Sequence, residues 1–429
     1  MIHTAQQQLL DSLQRSTFSY FAHEVNRSNG LVRDRTWSGS PSSIAATGFA
    51  LAAYPVGVER GYMTRDTAIE LTLACLRFFW NSPQGPERDA TGYKGFYYHF
   101  LDMQSGRRAW KSELSSVDST FLLAGMLTAA QYFAGETGDE AEIRSLAARL
   151  YARADWQWML NGGPAVSHGW RPERGFIKYR WQGYSEALLL YVLGLGSPTY
   201  PLPRESYVAW TSSYKWKKIY GTELLYSGPL FTHQFSHMWL DLRGIRDPFM
   251  QSRQSDYFEN SARATKVQRE YARRNPGGYT GYGDTCWGFT ASDGPGAITC
   301  NVDGIRRRFH AYMARGAPYG PDDGTISPWA VVASLPFAPE PVLAAIRAFD
   351  NLNLIEPNPY GFKTSFNQTF PNRNSDSVGW IATDHCGINQ GPIVLMIENY
   401  RTELIWNLMR ACPYVLKGLQ RAGFKGGWL

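Results

Sequence analysis

The sequence predicts an all-α protein, a single (α/α)6 barrel formed by residues 1–429 with long aromatic loops around the active-site mouth. Three observations support this. Apolar residues recur at helical intervals along most of the chain, the connections alternate between short and long, and no Ser/Gly linker or composition break divides the sequence. Paired helices that close into a ring produce this pattern. An open helical solenoid is the alternative, but no fixed sequence repeat supports it.

The helical segments follow one another from the N-terminus to the C-terminus. Two have clear start signals, since Pro339 and Pro341 open one helix and Asp66 opens another. The long connections are rich in Gly, Pro, Tyr and Trp, and loops of this kind are where binding residues concentrate. They cover residues 92–100, 170–181, 277–295 and 357–380. The predicted helices cover residues 9–25, 43–51, 67–80, 116–133, 140–160, 184–195, 230–245, 257–274, 328–335, 339–352 and 390–421.

Aromatic residues make up 14% of the chain, with 15 Trp and 25 Tyr. Tyr and Trp combine an apolar ring with a polar group, so they suit a cleft that grips a flat, polar ligand. Sugar rings are such ligands, because their C–H faces stack on aromatic planes. A large core with aromatic helix contacts explains the composition equally well.

Composition and charge exclude several classes of protein. The 44% hydrophobic content is typical of a globular protein, and the net charge of +6 is spread without the basic run of a nucleic-acid-binding protein. The five cysteines lack metal-ligand spacing and form a poor disulfide framework. We therefore expect no metal, no organic cofactor and no nucleic-acid partner, and the oligomeric state is not readable.

The N-terminal sequence MIHTAQQQLLDSLQRS does not resemble a secretory signal. The longest apolar run, residues 187–195, is too short to cross a bilayer, so no membrane association is expected. Free thiols are typical of a reducing compartment. These features predict a cytoplasmic protein, and a periplasmic one is the alternative if a signal peptide has been removed.

Carboxylates flanked by apolar and aromatic residues are the candidates for chemistry, because glycoside hydrolysis needs a proton donor and a base or nucleophile. Glu186 opens an almost wholly apolar helix in WQGYSEALLLYVLG, near Trp181 and Tyr184. Partial desolvation there would raise its pKa, as a general acid requires. The alternative is a first-turn Glu that the helix dipole favours.

The other carboxylates have strong structural alternatives. Asp118 suits a helix cap, and Asp241 suits an ion pair with the nearby Arg243. Asp284 and Asp293 lie in the Gly-rich segment GYGDTCWGFTASDGPG, where turn formation is the alternative. Asp384 ends another aromatic loop. The residue pattern does not rank Asp284 against Asp384.

Several segments together resemble a known group of enzymes, from about Gly30 to Trp406. They include YYHFLDMQSGRRAW, ELSSVDSTFLLAG, GYSEALLLYVLGLGSPTYPLP, GPLFTHQFSHMWLDLRGIRD, GYGDTCWGFTASDGPG, DDGTISP and GINQGPIVLMIENYRT. The chain resembles the glucoamylase-like superfamily. This superfamily holds the bacterial endo-β-1,2-glucanases (glycoside hydrolase family 144). The chain also resembles the C-terminal transglycosylase domain of cyclic β-1,2-glucan synthases (family 189). The resemblance implies one (α/α)6 barrel that acts on β-1,2-glucan.

The resemblance also implies roles for individual residues. Glu186 falls on the family's acid or acid/base Glu, and Asp284 falls where the synthase-like domains carry a nucleophilic Glu. Asp284 and Asp384 are therefore the candidate partners of Glu186. Substrate-binding candidates are Arg35, Asp118, Trp181, Tyr184, His233, Asp241, Tyr282, Trp287, Asp293 and Trp380.

Two departures from the family pattern bear on mechanism. Asp284 is one methylene shorter than Glu, which sets its carboxylate back by roughly 1.5 Å. The shorter side chain leaves space for a water between the carboxylate and the sugar, as an inverting enzyme requires. The expectation is therefore an inverting hydrolase, with Asp284 as general base. Asn389 stands in INQGP where many relatives carry Asp, and an amide cannot act as a base.

The leading functional hypothesis is an endo-acting β-1,2-glucanase that releases sophoro-oligosaccharides from linear β-1,2-glucan, with cyclic chains as the alternative substrate. A transglycosylase or an exo-acting sophorohydrolase is the alternative among enzymes. A non-catalytic glycan-binding protein is the alternative from another class, because both departures could disable catalysis.

Overall fold

The computed structural model describes residues 2–355, 359–371 and 379–429, so part of the predicted 357–380 connection lies outside the described residues. Within these ranges the fold is mostly helical, as predicted. The helices are α1 (Ile2–His23), α2 (Ile44–Glu59), α3 (Arg65–Asn81), α4 (Ser116–Tyr132), α5 (Gly138–Arg153), α6 (Trp156–Leu160), α7 (Leu188–Gly196), α8 (Arg204–Thr211), α9 (Pro248–Ser252), α10 (Tyr257–Arg274), α11 (Pro328–Val332), α12 (Pro339–Asn351), α13 (Gly387–Thr402), α14 (Leu404–Arg410) and α15 (Pro413–Ala422).

An inner ring is formed by α2, α4, α7, α11, α13 and two consecutive 3-10 helices, Leu230–His233 and Phe235–Met238. Helices α2, α4 and α7 are buried on nearly all sides. Such helices lack a polar face, because neighbours surround them within the protein. The apolar run after Glu186 is therefore an inner helix.

The ring closes through contacts between successive inner elements. Helix α2 packs against α4, α4 packs against α7, α11 packs against α13, and α13 packs against α2. The Ser236 hydroxyl accepts the Leu189 N–H at 3.1 Å, which joins α7 to the 3-10 helices. The Gln234 side chain donates to the Ala330 carbonyl at 2.6 Å and joins these to α11. The predicted (α/α)6 barrel is thereby confirmed.

The backbones of α2 and α4 touch because both helices carry glycine at the crossing. A Cβ on Gly48 would lie 2.3 Å from the Phe121 carbonyl oxygen, and one on Gly125 would lie 2.1 Å from the Gly48 carbonyl oxygen. Any larger residue would push the helices apart. The outer helices α1, α3, α5, α10 and α12 cover the ring and keep exposed faces.

Three predicted helices are divided in the structure. The segment 140–160 breaks into α5 and α6 at Ala154. The segment 390–421 breaks where Glu403 adopts a left-handed φ of 60° and again before Pro413, which begins α15. The segment 230–245 forms the two 3-10 helices instead of an α-helix. Apolar periodicity persists across such breaks, so it does not locate them.

Short strands line the connections, and the sequence did not predict them. The largest sheet is antiparallel, with the order β2-β3-β5-β6-β7, and joins residues on the two sides of α4. The strands are β1 (Ser42–Ser43), β2 (Gly92–Tyr93), β3 (Phe96–Tyr98), β4 (Phe100–Leu101), β5 (Leu114–Ser115), β6 (Gly169–Arg171), β7 (Gly175–Phe176), β8 (Trp216–Ile219), β9 (Thr222–Leu225), β10 (Ala291–Ser292), β11 (Thr299–Val302), β12 (Ile305–Arg308), β13 (Met313–Ala314), β14 (Thr325–Ile326), β15 (Phe366–Asn367) and β16 (Trp380–Ile381).

The register of the five-stranded sheet brings distant loops together. Tyr97 pairs with Ser115, and Ser115 pairs with Gly169. The loop after β3 therefore lies beside the start of α4. Within the described ranges, no helix is long and apolar enough to cross a membrane.

Candidate active site

A cavity of about 460 Å³ opens at the end of the barrel where the inner helices begin. Its wall includes the first turns of α4, α11 and α13 and the turn that leads into α7. This volume lies in the usual range for small-ligand sites. A larger groove of about 830 Å³ runs along α3 on the outer surface, but it is more open. The charged residues of the cavity are Asp34, Arg35, His99, Asp118, Glu186 and Asp293.

Glu186 lies in the turn immediately before α7, and its side chain lines the cavity. The Ser236 hydroxyl donates to the Glu186 carbonyl at 2.9 Å and accepts the Leu189 N–H, which fixes this turn. Burial and the nearby negative charge of Asp118 raise the pKa of Glu186 to about 7. A carboxyl group with this pKa holds a proton near neutral pH, as a general acid must.

Asp118 occupies the first turn of α4 and also lines the cavity. Ser115 is the helix cap, since its hydroxyl oxygen accepts the Asp118 N–H at 3.2 Å. The same hydroxyl lies 2.5 Å from Asp118 Oδ2, to which it donates. The cap predicted for this segment is thus supplied by Ser115, while the carboxylate of Asp118 remains in the cavity wall.

His99 lies between two carboxylates at the edge of the five-stranded sheet. Its Nδ1 is 3.0 Å from Glu113 Oε1, and its Nε2 is 3.7 Å from Asp118 Oδ1. Burial alone would lower the pKa of His99, but the charges of Asp118, Glu113 and Asp34 raise it to about 9. His99 is therefore an imidazolium at neutral pH.

Glu113 is the outer carboxylate of this arrangement. Arg171, on β6, contacts its second oxygen at 3.2 Å. Burial would raise the pKa of Glu113, but the hydrogen bond and charge of His99 outweigh it and hold the pKa at about 2. Glu113 thus stays ionised and fixes the orientation of the His99 ring.

Arg35 and Asp293 form a second charged pair in the cavity wall. The guanidinium donates from Nη1 to Asp293 Oδ2 at 2.6 Å and from Nη2 to Oδ1 at 3.4 Å. Its Nε lies 3.5 Å from Asp34 Oδ2. Burial raises the pKa of Asp34. The pair ties the N-terminal loop to the loop that follows α10.

The structure brings only four of the predicted site residues into the cavity: Arg35, Asp118, Glu186 and Asp293. The two other catalytic candidates lie outside it. Asp284 is 56% exposed and pairs with Arg269 at 2.9 Å and Arg273 at 3.3 Å. Asp384 is half-buried and absent from the cavity wall. The structure therefore does not place either carboxylate beside Glu186.

The predicted aromatic contacts also lie behind or beside the cavity wall. Trp181 donates its indole N–H to Ser116 Oγ at 2.9 Å and stacks on His168. Trp287 is fully buried. Tyr282 donates to Asp322 Oδ1 at 2.6 Å. Trp380 lies on β16, outside the cavity wall.

Tyr184, His233 and Asp241 form part of the packing around the ring. Tyr184 packs edge-on against His233, whose pKa burial lowers to about 4. Asp241 has no exposed side-chain surface and pairs with Arg243 at 2.8 Å and with Arg410. The Asp–Arg pair considered for Asp241 is therefore present, and none of the three residues lines the cavity.

Sequence reasoning missed several polar residues of the cavity, among them Asp34, His99 and Tyr312. A lone His or Tyr in a loop carries no recognisable spacing, so no local signal identifies them. Asn389 does line the cavity, so this departure from the family pattern lies in the site itself. In the described ranges, no group of three or more His, Cys, Asp or Glu side chains is arranged to hold a metal ion.

The chain is similar over nearly its whole length to known carbohydrate-active enzymes. Residues 178–413, more than half of the chain, match the family model Glycoamylase, described as "Putative glucoamylase". An exo-β-1,2-glucooligosaccharide sophorohydrolase (non-reducing end) from Parabacteroides distasonis is 30% identical. That similarity covers 97% of this chain, which spans only 58% of the relative's length.

Two solved structures are similar over nearly the whole of both chains. A protein from Bacteroides uniformis, described as a "putative glucoamylase", has a TM-score of 0.86 and 34% identity, and the match covers 99% of this chain and 98% of the other. An endo-β-1,2-glucanase from Chitinophaga pinensis, in complex with sophorotriose and glucose, has a TM-score of 0.84 and 27% identity, with 99% of each chain covered. The chain belongs to the glucoamylase-like family, as its sequence motifs predict.

Proposed function

We propose that the protein is a glycoside hydrolase that cleaves β-1,2-glucan, with Glu186 as its general acid. The observation that carries this proposal is the raised pKa of Glu186, about 7, in a cavity that is also lined by Asp118 and His99. A protonated carboxyl there can donate its proton to the leaving glycosidic oxygen. The similarity to β-1,2-glucan-degrading enzymes supports the choice of substrate.

Asp118 is the carboxylate that we propose as general base. It shares the cavity with Glu186, and its charge acts on the pKa of Glu186. Asp293 is engaged by two nitrogens of Arg35. Among the residues that the structure describes, the Asp118 carboxylate instead has two polar side-chain contacts, the Ser115 hydroxyl and, at 3.7 Å, the His99 ring. This proposal replaces the assignment to Asp284, because that carboxylate is exposed, pairs with Arg269 and Arg273, and does not line the cavity that holds Glu186.

Inversion of configuration remains the expected stereochemistry. In our scheme Asp118 acts as a base and not as the nucleophile, so a water that Asp118 deprotonates attacks the anomeric carbon. Ser115 and His99 hold the Asp118 carboxylate at the start of α4. Proton NMR of the first-formed reducing end tests this directly. An α-anomer as first product from the β-linked glucan supports inversion, and a β-anomer contradicts it.

Endo cleavage is the mode of action that we propose, with sophoro-oligosaccharides of several lengths as early products. Exo release of sophorose is the second candidate, which the similarity to the P. distasonis sophorohydrolase favours. Sizing of early products from linear β-1,2-glucan separates them, because an exo enzyme releases sophorose alone. Products longer than the substrate would indicate transglycosylation.

The decisive control for enzymatic activity is Glu186→Gln. Glutamine keeps the shape of the side chain but cannot donate a proton to a leaving group. The variant should bind β-1,2-glucan and not cleave it. Glucan binding without turnover in the unsubstituted protein would instead show a glycan-binding protein and refute the proposed hydrolase.

A further inference from the structure

Two indole rings stand exposed at the surface near the cavity. Trp37 is 41% exposed and Trp110 is 56% exposed. Their planes are parallel to within 8°, and their centroids are 6.1 Å apart. Directly superposed rings would lie about 3.5–4.0 Å apart. The two rings are therefore offset sideways, so part of each flat face remains open to solvent.

This pair is continuous with the cavity wall. The Trp110 ring contacts Phe100, with centroids 4.9 Å apart. Phe100 lines the cavity and stacks on His99 at 4.0 Å, with only 11° between the planes. A row of four rings thus runs from the Asp118 side of the cavity out to the surface.

The turn that carries Trp110 is held rigidly. Arg108 donates from Nε to the Ser112 carbonyl at 2.6 Å and from Nη2 to the Lys111 carbonyl at 2.8 Å. The Arg108 side chain is almost fully buried, and its guanidinium pairs with Glu173 at 2.7 Å. A buried arginine therefore fixes the backbone on the C-terminal side of Trp110.

The conformation of this turn is itself unfavourable for the residues that form it. Trp110 has a φ of 54° and Lys111 a φ of 51°, in the left-handed region that bulky side chains avoid. Backbone strain of this kind persists where the surrounding contacts enforce it and is concentrated at functional sites. Here the enforced conformation displays a large apolar ring to water.

We propose that Trp37 and Trp110 form a stacking platform for glucosyl rings of β-1,2-glucan that extend beyond the cavity. This inference rests on the proposed function and adds a binding site outside the catalytic cavity. The apolar C–H faces of a glucosyl ring match two offset, parallel indole faces, and neither ring needs a charged partner. The platform therefore serves long chains, while substrates that fit within the cavity do not reach it.

The test compares Trp37→Ala, Trp110→Ala and the unsubstituted protein on two substrates, long linear β-1,2-glucan and the shortest sophoro-oligosaccharide that is cleaved. For the long glucan, KM should rise about tenfold with kcat nearly unchanged, because binding is lost and chemistry is not. For the short substrate, both constants should stay within about twofold. Trp110→Tyr should restore most of the long-chain KM, since it keeps a flat ring.

The matched control is Tyr400→Ala, which removes a similarly exposed ring (41%) from α13. Tyr400 lies three turns along α13 from Asn389, roughly 16 Å from the cavity end of that helix. It should change neither substrate's KM. An unchanged long-chain KM in both Trp variants, or an equal rise for the short substrate, would overturn the platform.

Binding to Glu186→Gln separates this inference from the proposed function. Calorimetric titration compares Glu186→Gln with the double variant Glu186→Gln/Trp110→Ala. The Kd for long β-1,2-glucan then measures binding at the platform in the absence of turnover. A Kd that rises about tenfold in Trp110→Ala supports the platform even if the unsubstituted protein cleaves nothing, in which case only the hydrolase proposal fails. An unchanged Kd beside normal glucan cleavage refutes the platform alone.

Discussion

His99 Nε2 lies 3.7 Å from Asp118 Oδ1, so an imidazolium faces the carboxylate that we propose as general base. The other ring nitrogen meets Glu113 at 3.0 Å. Glu113, His99 and Asp118 thus form a row of alternating charge. This row orients the Asp118 carboxylate without an ion pair to an arginine. The row joins the loop after β3, the start of β5 and the first turn of α4.

His99→Gln should destabilise the protein in a pH-dependent way. The native pKa of His99, about 9, lies above the ordinary value of 6.5. Its contribution is therefore full below about pH 6.5 and is lost as the pH rises through 9. In urea unfolding, the free energy of unfolding of His99→Gln should be lower than that of the unsubstituted protein by roughly 1–3 kcal/mol at pH 6. This difference should be smaller at pH 9.5. The exposed His23→Gln is the control, and a loss independent of pH would contradict the imidazolium.

Glu186→Gln should reduce kcat by about 10²–10⁴-fold, the usual contribution of a general acid. In the unsubstituted protein, the rate should fall as the pH rises through about 7, because Glu186 then loses its proton. The pH profile of kcat/KM on β-1,2-glucan measures this limb. A flat profile between pH 6 and 8 would exclude Glu186 as the acid.

The same substitution should raise stability at high pH. The native pKa of Glu186 is raised above its ordinary value of 4.5, so folding binds a proton and stability falls as the pH rises from about 4.5 to 7. Glutamine cannot ionise and avoids this loss. Urea unfolding should therefore show Glu186→Gln gaining roughly 1–3 kcal/mol relative to the unsubstituted protein between pH 4 and pH 8. If the stability difference between Glu186→Gln and the unsubstituted protein is the same at pH 4 and pH 8, Glu186 is not a buried group that ionises in this range.

Asp118→Asn should lower kcat and also move the alkaline limb of the remaining activity to lower pH. The reason is that the Asp118 charge helps to raise the pKa of Glu186. Asp293→Asn is the control, because Arg35 neutralises that carboxylate and it should not move the limb. A large fall in kcat with Asp293→Asn and not with Asp118→Asn would transfer the base role to Asp293.

Asp284→Asn should leave kcat and KM within about twofold of the unsubstituted protein. Asp284 is exposed and pairs with Arg269 and Arg273 on the surface, where ion pairs contribute little. Steady-state kinetics on β-1,2-glucan is the measurement. A fall of a hundredfold or more would restore the role that the family resemblance implies for this position.

Arg35→Ala should destabilise the cavity wall, because Asp293 loses two hydrogen bonds from a half-buried guanidinium. We expect urea unfolding to show a free energy of unfolding that is lower by roughly 1–3 kcal/mol in Arg35→Ala. Arg77→Ala removes a similar bidentate pair with Glu142 on the surface and should cost less than about 1 kcal/mol. Equal losses in the two variants would contradict the structural role of the Arg35–Asp293 pair.

The helical architecture could be predicted because periodicity is a local property of the sequence. The fully apolar run after Glu186 marks an inner helix, and the amphipathic pattern of 257–274 matches the outer helix α10. The breaks at Glu403 and in 230–245 were not predictable, since single backbone angles decide them. The strands of two to four residues are too short to show an alternating pattern.

The sequence by itself determined the fold class, the family and the identity of Glu186 as the leading carboxylate, because each depends on residues that are neighbours along the chain. Only the tertiary structure decided which carboxylates accompany it. Asp284 and Asp293 lie nine positions apart in the connection that follows α10, yet Asp293 lines the cavity while Asp284 faces solvent. The direction of a loop side chain depends on what packs against the loop, and the distant residues Arg35 and Ser365 supply those contacts to Asp293.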